Sequence, residues 1–274
     1  MKVANHAGRA VLVLGDEVVD IELASGGAFS AEVGLVYARW DDLVSWASTV
    51  DAGTAPLVEA RLSCPVTPRQ VFAIGLNYRS HAEESGMAVP DVPATFTKFP
   101  ASLSGPFDDI ELAGTSDDWE VELVAVIGRP ADRVPAGEGW DHVAGLAVGQ
   151  DISDRHLQFA AGAQFSLGKS HRGYGPIGPW VVTPDELADR DDLALGCSID
   201  GETVQDGRSS DLVFPVGRLV EELSAVLPLL PGDVIFTGTP AGVGFTRQPP
   251  RALQPGQVIE SWIEGIGTIR NHCR

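Results

Sequence analysis

Apolar and polar residues alternate in short runs along most of the chain, and Gly, Pro and Asp punctuate the runs, which is the pattern of many short β-strands and few helices. Residues 10–22, AVLVLGDEVVDIE, read as a β-hairpin turning at Gly15 and Asp16. WDDLVSWAST (40–49) carries apolar positions at helical spacing, and SCPVTPRQVFAIG then brings two prolines in extended chain ahead of a strand at 70–75. A boundary is placed near residue 66. Further strands are predicted near 94–98, 119–128, 142–152, 177–182, 195–200, 233–237 and 257–270. FPVGRLVEELSAVL (214–227) is the one long helix of this part, with Val216, Leu219, Val220 and Leu223 on one stripe. The predicted fold class is α+β, mainly β: a small N-terminal β-containing unit (1–66) followed by a larger mixed or antiparallel β domain (67–274).

Composition narrows the partners. Asp and Glu number 38 against 19 Lys plus Arg, so the formal net charge of −19 repels phosphate backbones and anionic lipid, and nucleic acid is not an expected partner. The charge also disfavours an anionic substrate unless a metal or local cations reverse the field at the site. Cys64, Cys197 and Cys273 are odd in number and widely spaced, as in a cytoplasmic protein with reduced thiols. No apolar segment of signal-peptide or membrane-spanning length is visible, so neither secretion nor membrane insertion is expected.

One strand breaks its own pattern. In DWEVELVAVIG (118–128) Glu120 and Glu122 interrupt an otherwise apolar run. Alternation points both the same way, with Cα atoms about 6.5–7 Å apart, on the face shared with Val124 and Val126, while Trp119, Val121, Leu123, Ala125 and Ile127 line the other. Apolar residues on both faces imply a strand covered on both sides, where unpaired carboxylates are costly. An exposed edge strand is the alternative. A third carboxylate, Asp151, ends the apolar strand VAGLAVGQD, and three oxygen donors without thiolate or imidazole suit Mg²⁺ or Mn²⁺, with Ca²⁺ also compatible. In NYRSHAEES, Ser80 and Glu83 have capping-box spacing, and His81 and Glu84 lie three apart, so they meet on one helical face either as a surface pair or as a carboxylate-oriented general base.

Over residues 68–272 the chain resembles the fumarylacetoacetate hydrolase family through GLNYRSHAEESG, FTK, WEVELVAVIG, GQDISDRHLQF, LGKS, GPIGPWVVT, PGDVIFTGTPAGVG and IEGIGTIRN, in that order. The resemblance implies the family's mixed β-roll core, assembly as a homodimer, and a divalent metal on Glu120, Glu122 and Asp151. It implies that His81 and Glu84 activate water and that Lys169 acts on the substrate's carboxylate or oxyanion. Arg155, Gln158, Thr239, Tyr78 and Lys98 are placed in substrate binding on the same ground. TGTPAGVG (237–244) lacks the G-K-[ST] of a phosphate loop, and Pro240 removes an amide donor, so it reads as a substrate-facing turn. Relatives often carry an acidic residue where Arg172 stands, so Arg172 either meets a more anionic substrate or points outward.

The expected activity is metal-dependent hydrolysis of a carbon–carbon bond in a 2,4-dioxo acid. Decarboxylation of oxaloacetate, or isomerisation or hydration of an unsaturated 2-oxo acid, uses the same chelated group, and a metal-stabilised binding protein is the non-catalytic alternative.

Overall fold

The computed structural model describes residues 1–274. Its largest sheet orders its main strands as Ala55–Pro56, Glu17–Asp20, Arg9–Leu14, Lys2–His6, Gly175–Val182, Val143–Gln150, Val121–Ile127, Val234–Phe236, Val71–Gly75 and Ala94–Thr97. Along this path the pairing is antiparallel except between Val234–Phe236 and Val71–Gly75, so the sheet is mixed. A second sheet of four strands runs Glu202–Arg208, Ala194–Ile199, Val258–Ile263 and Gly267–His272.

Each face of the strand Val121–Ile127 lies in a different core. Val121, Leu123, Ala125 and Ile127 join Leu195, Cys197, Ile259 and Ile269 of the four-stranded sheet. Leu219, Val220 and Leu223 of the helix Val216–Ser224 pack into the same core. Val124 and Val126 face the other way, onto Val36, Tyr37, Trp40 and Leu43 of the N-terminal segment. This two-sided burial removes the edge-strand alternative, and at about 25 cal/mol per Å² it accounts for the near-continuous apolar run.

Residues 1–66 extend the same sheet rather than a separate one, because Lys2 and Val3 pair with Val182 and Val181. The strand Lys2–His6 is absent from the sequence reading. Its KVANH pattern is short and half polar; it pairs locally with Arg9–Leu14, while its other neighbour, Gly175–Val182, lies some 180 residues away in the chain. The hairpin forms as read, with strands Arg9–Leu14 and Glu17–Asp20 in register across Gly15 and Asp16. The stretch 257–270 is not one strand but two, Val258–Ile263 and Gly267–His272, joined by a turn in which Gly265 takes φ +73°.

The helix Arg79–Glu84 departs from its expected start. Ser80 lies inside the helix, Tyr78 occupies the cap position without a capping side chain, and the free Ser80 amide donates to Asp211 Oδ2 at 3.0 Å. The capping-box expectation fails because a residue far along the chain supplies the acceptor that Ser80 was expected to provide. No helix is long and apolar enough to cross a membrane.

Candidate active site

The strand register creates the carboxylate cluster. Val121–Ile127 pairs with Val143–Gln150 so that Glu122 lies opposite Gly149, and two residues earlier the Asp151 amide donates to the Glu120 carbonyl at 2.9 Å. Glu120, Glu122 and Asp151 are thereby brought side by side, all buried, with one carboxylate oxygen from each lying within 4.8 Å of the others. Gln150 fixes the strand end, its Oε1 accepting from the Glu120 amide at 2.8 Å and its Nε2 donating to Ser261.

Cations hold two of the three carboxylates. The Lys169 ammonium donates to Glu120 Oε2 at 2.6 Å, Asp151 Oδ2 at 2.8 Å and the Ser153 hydroxyl at 2.8 Å, which engages all three of its protons. Lys98 donates to Asp151 Oδ1 at 2.6 Å and to the Lys169 carbonyl. The Arg155 guanidinium bridges Asp118 and Glu120, each at 2.6 Å, and donates to Gln158 Oε1 at 2.9 Å. The helix Arg155–Ala160 sets this pair three residues apart, and its cap is Asp154, whose side chain accepts from the Leu157 amide.

Glu122 is the exception, because its Oε2 accepts only the Gly238 amide, at 2.8 Å. Gly238 reaches that position with φ +103°, where a Cβ would stand 2.8 Å from Asn77 Cβ. The charges follow from these contacts. Burial raises a carboxyl pKa, but at Glu120 the neighbouring Lys169 and Arg155 outweigh it and hold the group below the ordinary carboxylate range. At Glu122 burial is reinforced by Asp151 and Glu120, and the pKa lies well above the ordinary range. Burial lowers the Lys169 pKa, but Asp151 and Glu120 outweigh it and the ammonium is kept charged.

This donor set fits a hard divalent cation. Four carboxylates (Asp118, Glu120, Glu122, Asp151) face three cationic side chains (Lys98, Arg155, Lys169), which leaves one negative charge uncompensated, centred on the group without a cationic partner. Buried all-oxygen sites of this kind match the preference of Mg²⁺ and Mn²⁺.

Across the same cavity, His81 Nδ1 lies 3.2 Å from Glu84 Oε2, and Glu84 Oε1 accepts from the Gly242 amide at 2.9 Å. Burial raises the Glu84 pKa, but the contacts to His81 and Gly242 outweigh it and hold the carboxyl below its ordinary value. The turn 237–244 thus serves both halves of the site, Gly238 meeting Glu122 and Gly242 meeting Glu84. The cavity has a volume of about 400 Å³ and contains His81, Glu84, Glu120, Glu122, Arg155, Gln158, Lys169 and Thr239 in its lining.

Asp151, fully buried, lies beneath the lining. Tyr78 and Lys98 do not reach the cavity wall: both are wholly buried, Tyr78 bridging to Leu212 with its hydroxyl unpartnered, and Lys98 beneath Asp151. The Thr239 hydroxyl is occupied, accepting from Gln205 Nε2 and donating to the Val121 carbonyl. Arg172 is exposed and apart from the cavity. Sequence reasoning missed Asp118, whose Oδ1 accepts from the Gly244 amide and whose Oδ2 accepts from the Phe245 amide, so it ties Arg155 to the turn. The signal was present, since Asp118 continues the two-residue period of Glu120 and Glu122 backward.

Comparison with known proteins gives the family and the fold. The family model for the fumarylacetoacetate (FAA) hydrolase C-terminal domain matches residues 70–274. A Mycobacterium smegmatis protein with a provisional HpcE assignment is 48% identical, with a TM-score of 0.95 over 100% of this chain and 99% of that one. The 5-carboxymethyl-2-hydroxymuconate delta-isomerase from Mycobacterium smegmatis is 32% identical, with a TM-score of 0.78 over 100% and 98%. A maleylpyruvate hydrolase from Sphingobium sp. SYK-6, solved with manganese(II) and pyruvate, is 27% identical, with a TM-score of 0.82 over 100% and 98%. With the family model spanning most of its length and its fold shared throughout with these structures, the chain belongs to the fumarylacetoacetate hydrolase family.

Proposed function

We propose that this protein is a divalent-metal-dependent hydrolase that cleaves a carbon–carbon bond in a 2,4-dioxo acid, releasing a carboxylic acid and pyruvate. The observation that carries the proposal is the placement of two chemistries at one cavity: the carboxylate trio, with Glu120 and Glu122 in the lining and Asp151 behind them, and the His81–Glu84 pair in the same lining. A divalent cation held by the trio would supply a Lewis acid and a chelating site for the carboxylate and 2-oxo oxygens of the substrate. The structure of the maleylpyruvate hydrolase with manganese and pyruvate supports this choice of metal and 2-oxo acid.

The side chains divide the remaining work. Glu84, anchored by the Gly242 amide, fixes the His81 ring through Nδ1 and leaves Nε2 to take a proton from water. The water oxygen adds to the carbonyl distal to the acid group, and the bond between that carbonyl carbon and the adjacent methylene breaks. The electron pair passes to the pyruvate fragment, which is then protonated at the methylene carbon. Lys169, locked on Glu120, Asp151 and Ser153, contributes a fixed positive charge beside the growing anion, where preorganised charge is most effective.

A second reading rests on the isomerase among the similar structures: isomerisation of an unsaturated 2-oxo acid, or decarboxylation of oxaloacetate, at the same site without attack by water. His81→Ala separates the two. Under the hydrolase reading it lowers kcat for 2,4-dioxo acid cleavage by about 10²–10⁴-fold, the usual range for a general base, with metal affinity retained. Unchanged hydrolysis in this variant would remove His81 from water activation.

A further inference from the structure

The cavity has two chemically different ends. At its floor stand the carboxylates, Lys169 and Arg155; around its mouth stand Phe96, Phe159, Phe165, Phe245, Leu76 and Met87. The four phenylalanines form a continuous wall, with ring centroids 5.8 Å apart for Phe96–Phe165 and Phe159–Phe165 and 5.6 Å apart for Phe159–Phe245. Phe159, Phe245 and Met87 are 47%, 51% and 55% exposed, unusual for large apolar side chains in a concave site and consistent with apolar area that a ligand covers. Leu76 holds its place in this wall with φ +53°, a conformation that bulky side chains rarely adopt.

The two cations that line the cavity, Lys169 and Arg155, are both engaged at its floor. Lys169 has its three protons on Glu120, Asp151 and Ser153, and Arg155 is spent on Asp118, Glu120 and Gln158. Arg247 lies outside the lining, stacked on Trp119 with Nη2 donating to the carbonyls of Val204 and Gly242 and its buried Nε unpartnered, and Arg79 turns away to the carbonyls of Asp211 and Leu212. Glu84 is the one other formally charged group facing the cavity besides those at the floor and His81, and it is anionic. The floor, one negative charge in excess, becomes one positive charge in excess with a divalent cation, which balances a single substrate carboxylate.

We infer that the substrate is a monocarboxylate whose arm distal to the 2-oxo acid is uncharged and apolar, an aryl or alkyl group seated against the phenylalanine wall. This inference rests on the proposed 2-oxo acid chemistry and names its substrate class. It sets the chain apart from a maleylpyruvate hydrolase, whose substrate carries a second carboxylate.

The test uses the full chain with Mg²⁺ and 2,4-dioxo acids that differ only beyond the distal carbonyl: 4-phenyl-2,4-dioxobutanoate, 2,4-dioxooctanoate and the charged 2,4-dioxoheptanedioate. The uncharged pair should exceed the dicarboxylate in kcat/KM by at least about tenfold, the scale of discrimination an apolar pocket provides. In parallel, phenylpyruvate and 2-oxoglutarate are compared by the melting-temperature shift each produces with Mg²⁺, and phenylpyruvate should give the larger one. Phe159→Arg, at a half-exposed position, should move both preferences toward the dicarboxylates. Failure of every dioxo acid to turn over would overturn the hydrolase reading, while the melting shifts still decide the arm. Equal or better use of the dicarboxylate, with 2-oxoglutarate giving the larger shift, would overturn the inference itself.

Discussion

Replacing Glu122 by Gln should make the metal-free protein more stable and the metal-treated protein indifferent to metal. Glu122 is 2% exposed, carboxylate oxygens of Asp151 and Glu120 lie within 4.8 Å of it, and its hydrogen-bond donor is the Gly238 amide. Two like charges within 4.8 Å of each other repel by about 3.5 kcal/mol or more at an effective dielectric constant near 20, and Glu122 has two such neighbours. Protonation caps this cost. Holding a carboxyl neutral at pH 7 against an unfolded pKa of about 4.3 costs about 3.7 kcal/mol at 1.36 kcal/mol per pH unit. The nearby lysines offset part of that, so the expected gain for Glu122→Gln in chelator is about 1–3 kcal/mol. The Gln carbonyl oxygen still accepts from Gly238, so no hydrogen bond is lost. Urea denaturation of wild type and variant, each with Mg²⁺ and with chelator, measures the effect. Wild type should gain stability from Mg²⁺ and the variant should not. A variant less stable than wild type in chelator, or equally stabilised by Mg²⁺, would refute the account of uncompensated charge.

The same group fixes the expected dependence on pH. Its folded pKa lies above the unfolded value, so between the two the folded state binds more protons, and metal-free wild type should lose stability relative to Glu122→Gln as pH rises through that window. Mg²⁺ must displace the proton, so its affinity should climb over the same window, with proton release visible by calorimetry in buffers of different ionisation heat; release identical in Glu122→Gln would contradict this. Tyr78→Phe removes a buried hydroxyl that has no partner, so stability should hold within about 1 kcal/mol or improve, and KM should be unchanged; a large rise in KM would return Tyr78 to the substrate site.

What the sequence disclosed depended on how local each cause was. The carboxylates of Glu120 and Glu122 were legible because a two-residue period inside an apolar run fixes both their common face and the cost of burying them, and Asp151 because it ends the neighbouring strand. The hairpin at Gly15 and Asp16 and the helix stripe Leu219–Leu223 are equally local patterns. The start of the helix Arg79–Glu84 was misread because its capping acceptor, Asp211, arrives from 131 residues away. Lys98 and Tyr78 share motifs with site residues, but their depth below the cavity is set by packing that no short stretch encodes. The phenylalanine wall was invisible for a similar reason. Phe96, Phe159, Phe165 and Phe245 each sit in an ordinary local pattern, and only the fold lines them up as Phe96, Phe165, Phe159 and Phe245 with each ring centroid within 6 Å of the next.

The central claim is that Glu120, Glu122 and Asp151 together hold one hard divalent ion. Titration of the chain with Mn²⁺, followed by the loss of the free-ion electron paramagnetic resonance signal and reversed by Mg²⁺, tests it directly. The expected result is one ion per chain in wild type, with binding lost in Glu122→Gln and kept in the control Glu83→Gln. Binding of equal strength and stoichiometry in wild type and Glu122→Gln would contradict the claim.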